Sequence, residues 1–109
     1  MKIGVTGGTG FIGQYLLKEY SIENEFVVIT SRECCENLYI NPNIKYITGN
    51  YNQEEFEKDF ADCDAVVHLG ARRSSKESEE SILKYLENLR VSEELFKACL
   101  KLQIKNVVN

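Results

Sequence analysis

The apolar positions of this chain fall into two alternating kinds of run. Ile3–Val5, Phe26–Thr30, Ile44–Thr48, Asp64–Leu69 and Ile104–Val108 are short blocks rich in β-branched and aromatic residues, and each has the length of a strand. The stretches between them carry helical spacing instead. Phe11–Tyr20 is amphipathic. Within Gln53–Asp62, Phe56 and Phe60 stand one helical turn apart. From Ser81 to Leu102, the residues Ile82, Tyr85, Leu86, Leu89, Phe96, Cys99 and Leu100 recur at three- and four-residue intervals, which predicts a helix with Ser81 as its cap. FVVIT and DAVVHL are apolar through their middles, as strands buried on both faces require, whereas IKYIT alternates and suits a place nearer the sheet edge. The stretches 31–43 and 70–80 are polar connections.

Strands alternating with helices at these lengths specify an α/β fold. The expected architecture is a doubly wound parallel sheet of the Rossmann kind, with strand order 3-2-1-4-5 and three layers, α/β/α. A ligand is expected across the C-terminal ends of the first and fourth strands, where the order reverses. At 109 residues the chain forms one small domain, residues 1–109. Its formal net charge of −4, from 13 basic and 17 acidic residues, gives no reason to expect nucleic acid or a membrane as partner. The apolar runs are too short to span a bilayer and the N-terminus lacks the features of a signal peptide, which points to the cytoplasm. Of the four cysteines, Cys63 and Cys99 read as packing residues, and adjacent Cys34 and Cys35 as free thiols. No cysteine spacing suits zinc, so no metal site is expected.

Candidate chemistry sits at the first strand-to-helix junction, TGGTGFIG from Thr6 to Gly13. The glycines have the spacing GxxGxxG. Gly7 permits a tight turn out of the strand, Gly10 lets a phosphate approach the backbone, and Gly13 lets the helix lie flat on the sheet. The first-turn amides of that helix have no intrahelical partners and lie at the positive end of its dipole, so they can receive a pyrophosphate. A glycine-rich turn that binds nothing is the alternative.

Three motifs in order, TGGTGFIG, DAVVHLGA at Asp64–Ala71 and NLRVSEELFKAC at Asn88–Cys99, resemble those of the extended short-chain dehydrogenases, the NAD(P)-dependent epimerase/dehydratase family that acts largely on nucleotide sugars. The resemblance covers the whole chain but only the N-terminal part of such a protein, and implies a fragment of a longer enzyme, incomplete at its C-terminus. It also implies that Gly7, Gly10, Phe11, Ile12 and Gly13 hold the pyrophosphate. Leu69, Gly70 and Ala71 would line the ribose and nicotinamide side, and Asn88 would support a catalytic lysine through water. The complete enzyme would transfer a hydride between the nicotinamide and a sugar carbon.

Some positions depart from the family pattern. NAD-preferring relatives carry an acidic residue at the end of strand two, where this chain has Ser31 and Arg32. A hydroxyl and a guanidinium suit a 2′-phosphate, which favours NADP as cofactor and leaves NAD open. Gly49 and Asn50 stand where the family has Gly-Asp, and Asn50 retains the donor and acceptor for an adenine contact. His68 reads as a packed core residue, and Arg72 and Arg73 as part of a solvated loop. None of the six tyrosines has a lysine four residues on, so the family's proton-transfer pair is absent from this chain, which is expected to be inactive alone. A non-catalytic dinucleotide-binding sensor or scaffold of the same fold is the other functional reading. An open fifth strand and uncovered apolar surface lead to an expected homodimer or self-association.

Overall fold

The computed structural model describes residues 1–30, 38–70 and 79–109. Five strands, β1 (Lys2–Thr6), β2 (Glu25–Thr30), β3 (Ile44–Thr48), β4 (Ala65–His68) and β5 (Asn106–Val108), alternate with α1 (Phe11–Tyr20), α2 (Gln53–Asp59) and α3 (Glu79–Leu102). All strand pairs are parallel and the sheet order is β3-β2-β1-β4-β5, so the expected topology is the one found. Register follows hydrophobicity: Val5 of β1 lies between Val28 of β2 and Val67 of β4.

Alternation along β2 sends neighbouring residues to opposite faces of the sheet. Phe26 and Val28 pack with Val5 and with Leu17 of α1. Val27 and Ile29 pack on the other face with Phe56, Phe60, Val66, Leu95 and Ala98, under α2 and α3. The result is the expected three-layer arrangement. Both cysteines of the described core, Cys63 and Cys99, are buried and free, and burial pushes the Cys63 thiol up to about 11. Cys34 and Cys35 lie outside the described residues.

Element ends differ from expectation for local reasons. α3 starts at Glu79 rather than at Ser81, since glutamate propagates a helix well and Ser81 is left inside the first turn instead of capping it. Phe60 ends α2 as its C-cap, with φ −100°, and Asn52 caps the other end by accepting from the Glu55 N–H at 3.0 Å. β5 starts at Asn106 rather than Ile104. Gln103 turns the chain at φ 60°, and the Ile104 N–H is spent on the Cys99 carbonyl at 2.9 Å, closing α3.

The apolar periodicity of α3 serves two faces. Val91, Leu95, Ala98, Cys99 and Leu102 contribute to the core. Ile82, Tyr85, Leu86, Leu89 and Leu100 are exposed and form an apolar stripe along the outer side. Among the described residues no helix is long and apolar enough to cross a membrane.

Candidate functional site

β1 and β4 are neighbours in the sheet, and the chains leaving their C-terminal ends meet. Gly7 leaves β1 with φ +74°, a backbone conformation that costs L residues about 1–2 kcal/mol. A Cβ there would lie 2.5 Å from the Gly70 nitrogen and from the Leu69 carbonyl carbon, so the loop after β4 passes directly against the glycine loop. Gly13 is held as tightly: a Cβ on it would lie 2.4 Å from the Gly7 oxygen. The close neighbour of the helix at Gly13 is therefore the loop itself, where the sequence suggested the sheet.

Gly10 differs from both. Among the described residues, a Cβ added there would meet only the Gly7 oxygen, at 3.6 Å. Gly10 is also the N-cap of α1, makes no side-chain cap hydrogen bond, and is followed by a first turn without acidic residues. The first amides of α1 thus have no side-chain cap and face no carboxylate of their own turn, so the residues present fit a bound diphosphate.

A cleft of about 280 Å³ opens at this junction. Of the sequence candidates, Gly7, Gly10, Leu69, Gly70 and Asn88 line it together. Asn88 is half-buried on α3, not solvent-facing. Phe11, Ile12, Gly13 and Asn50 do not line it. The side chains of Phe11 and Ile12 are exposed, leaving their backbone amides at the first turn of α1 as the groups next to Gly10. Asn50 is exposed, with its N–H held by the Glu55 carboxylate at 2.6 Å. Its neighbour Tyr51, at φ 54°, lines the cleft instead. Ser31, Arg32, Ala71, Arg72 and Arg73 lie outside the described residues.

Thr6, Thr9, Tyr51, Glu87 and Val91 also line the cleft without having been singled out in the sequence. Two had a readable signal: Val91 is one helical turn beyond Asn88, and Tyr51 adjoins Asn50. Glu87 is the one carboxylate of the cleft among the described residues, and Arg90 covers it through hydrogen bonds of 3.1 and 2.7 Å. Arg90 also donates to the Tyr51 carbonyl at 3.3 Å, tying α3 to the turn after β3.

Behind the cleft runs a polar line through the sheet. The Gly70 N–H donates to Thr6 Oγ1 at 3.1 Å, Thr6 Oγ1 is hydrogen-bonded to His68 Nδ1, and His68 Nε2 meets Ser92 Oγ at 3.0 Å. His68 is 5% exposed, so it is a core residue as expected, and it is partnered at both ring nitrogens as well as edge-on against Phe96. Burial holds its pKa below the usual histidine value, so the native state favours the neutral ring. Below the unfolded value of about 6.5 the unfolded chain takes up a proton that the native ring resists. Stability contributed by His68 is therefore present above that pH and falls on acidification, by at most about 1.4 kcal/mol per pH unit. Denaturant titrations between pH 7 and pH 5 are expected to show a shallower loss of stability in His68→Gln than in the wild type. Equal slopes would remove His68 as the source.

Comparison with known proteins agrees with this geometry. Residues 3–109 match the model of a family described as the NAD dependent epimerase/dehydratase family. A UDP-glucose 4-epimerase of Neisseria meningitidis serogroup B is 33% identical over 98 residues, covering 80% of this chain and 29% of that protein. The solved UDP-N-acetylglucosamine 4-epimerase from Methanobrevibacter ruminantium M1, in complex with UDP-N-acetylmuramic acid, superimposes with a TM-score of 0.84 at 32% identity, over 97% of this chain and 36% of that one. The counterpart from Bacillus cereus gives a TM-score of 0.77 at 32% identity, over 98% of this chain and 36% of that one. The chain thus spans about a third of the length of these relatives.

Proposed function

The chain belongs to the NAD-dependent epimerase/dehydratase family, and from that premise we propose that it is the dinucleotide-binding part of a nucleotide-sugar epimerase, dehydratase or related reductase. The observation that carries this reading is the convergence on one cleft of Gly10, the uncapped start of α1, the Leu69–Gly70 turn and Asn88. Backbone amides of Phe11 and Ile12 would hold the diphosphate, Leu69 and Gly70 would line the ribose and nicotinamide side, and Asn88 would orient the proton-transfer machinery. A nicotinamide dinucleotide supplies hydride acceptance from a sugar carbon. The chain's own contribution is to bind, to orient, and to keep Glu87 neutralised by Arg90 beside a polyanion.

Between the two dinucleotides, Ser31 and Arg32 support NADP, while the family's description names NAD. The exposed stripe of α3 supports association of two copies. Fluorescence titration of this chain with NADPH and with NADH is expected to give saturable binding of both, tighter for NADPH, by a species that sediments above the monomer and turns over no UDP-sugar. Absence of saturable binding by the folded chain refutes the cofactor assignment. Tighter NADH refutes the NADP preference alone, and monomeric sedimentation the association alone.

A further inference from the structure

The polar line behind the cleft can be balanced proton by proton. Thr6 is 0% exposed, and among the described residues its hydroxyl has two partners, the Gly70 N–H and His68 Nδ1. The amide donates to Oγ1, so the Thr6 proton goes to Nδ1. His68 then carries its own hydrogen on Nε2 and donates it to Ser92 Oγ, 3.0 Å away. The opposite tautomer, or a charged ring, would turn an Nδ1–H towards Thr6 Oγ1 and leave the Thr6 proton without an acceptor in a fully buried site. Burial, which lowers the His68 pKa, acts in the same direction.

Both ends of this line reach walls of the same cleft. Thr6 and Gly70 border it from the β1 and β4 side. Ser92 follows Val91 on α3 and stands one helical turn beyond Asn88, and both of those residues border the cleft as well. His68 and Ser92 are not among its lining residues. The imidazole lies beside Thr6 in the parallel register of β1 and β4 and is met edge-on by Phe96 of α3. A single ring thus connects the turn after β4 to the helix that carries Asn88.

We propose that His68 and Ser92 are positioning residues for the dinucleotide: the neutral ring, bonded to Thr6 on one side and Ser92 on the other, fixes the spacing across the cleft between the Leu69–Gly70 turn and Asn88. The inference rests on the dinucleotide reading above, in which these two walls border the ribose and nicotinamide side. Neither His68 nor Ser92 touches the cofactor. Their effect is felt by the nicotinamide half, whereas the diphosphate rests on the amides of α1.

The test uses Ser92→Ala, which removes the hydroxyl from outside the cleft, and Ser92→Thr, which keeps one. Dissociation constants for NADH and for ADP, which lacks the nicotinamide half, are measured at pH 8 on each folded protein. Ser92→Ala is expected to weaken NADH by roughly fivefold or more and to leave ADP unchanged, and Ser92→Thr to restore NADH binding. The chain holds one histidine, so nitrogen NMR of the ring reports His68 alone, and the wild type is expected to show hydrogen on Nε2 and none on Nδ1. A purely structural role would lower the melting temperature of Ser92→Ala and spare the NADH affinity of its folded fraction. Unchanged NADH affinity, equal loss for ADP, or an Nδ1–H tautomer overturns the proposal. Should Ser92→Ala not fold, Ser92→Cys, which offers a weak sulfur acceptor in place of oxygen, is expected to give the same split between NADH and ADP, and its absence is equally decisive. Wild-type protein that binds neither NADH nor ADP removes the dinucleotide reading itself, whereas normal NADH binding by the variants removes only the role of His68 and Ser92.

Discussion

Gly7→Ala is expected to lose dinucleotide binding and to melt far below the wild type. Two effects add. An alanine at φ +74° carries about 1–2 kcal/mol of left-handed strain. Its methyl would also sit 2.5 Å from backbone atoms of Leu69 and Gly70, and forcing an extra carbon into packed structure costs about 1–3 kcal/mol. The sum, roughly 2–5 kcal/mol, corresponds to a fall of roughly 10–30 °C in Tm for a domain of this size. Relief requires pushing the turn after β4 away from the glycine loop, which opens the wall of the cleft.

Gly10→Ala is the informative partner. Among the described residues its methyl meets nothing nearer than the Gly7 oxygen at 3.6 Å, so the fold should be nearly undisturbed, with a change of about 5 °C or less from a poorer N-cap residue. The methyl nevertheless occupies the space in which a phosphate would rest, and NADPH affinity is expected to fall by roughly tenfold or more. Thermal melts and NADPH titrations on the two variants separate the roles. Wild-type melting in Gly7→Ala would contradict the strain argument, and wild-type affinity in Gly10→Ala would contradict the location of the diphosphate.

The same contrast indicates what the sequence could reveal. Glycine spacing behind an apolar strand marked the loop, and alternation of short β-branched runs with helical periodicity was sufficient for sheet order and layers. Periodicity could not say which side of α3 faces the sheet, because apolar residues recur on both. Val91, Leu95 and Ala98 meet the core, while Ile82, Leu86 and Leu89 remain outside. Contacts between distant segments were equally hidden. Thr6 reads as an ordinary strand residue until folding places its hydroxyl on the Gly70 N–H, 64 positions away. Gln14 reads as a polar helix residue until Tyr39 and Tyr46 arrive beside it. Asn50 and Tyr51 illustrate the limit at a loop: the resemblance pointed to Asn50, whereas Tyr51, with its backbone at φ 54°, is the neighbour that borders the cleft.

Phe60→Ala is expected to produce the largest loss of stability without loss of affinity. Phe60 is fully buried at the end of α2, stacked on Phe56 with ring centroids 5.9 Å apart, in the cluster that joins β2, β4, α2 and α3. Its ring also lies against Gly4 of β1, where a Cβ would come within 2.6 Å of it, so no neighbouring side chain on that strand stands ready to fill the space. Truncating a buried phenylalanine costs about 3–5 kcal/mol when the cavity cannot collapse, a large part of the roughly 5–15 kcal/mol that holds a domain together. Phe96→Ala serves as the comparison. Phe96 is 37% exposed and its described ring contact is the edge-on meeting with His68, so less apolar surface returns to water and a smaller loss is expected. Urea titration checks both. The cleft borders the opposite end of α2, through Tyr51, so NADPH affinity per folded Phe60→Ala molecule should match the wild type. A stability loss below about 1.5 kcal/mol would show that α2 and α3 settle into the vacated volume. A weakened affinity in the folded fraction would show that the core beneath α2 and the mouth of the cleft move together.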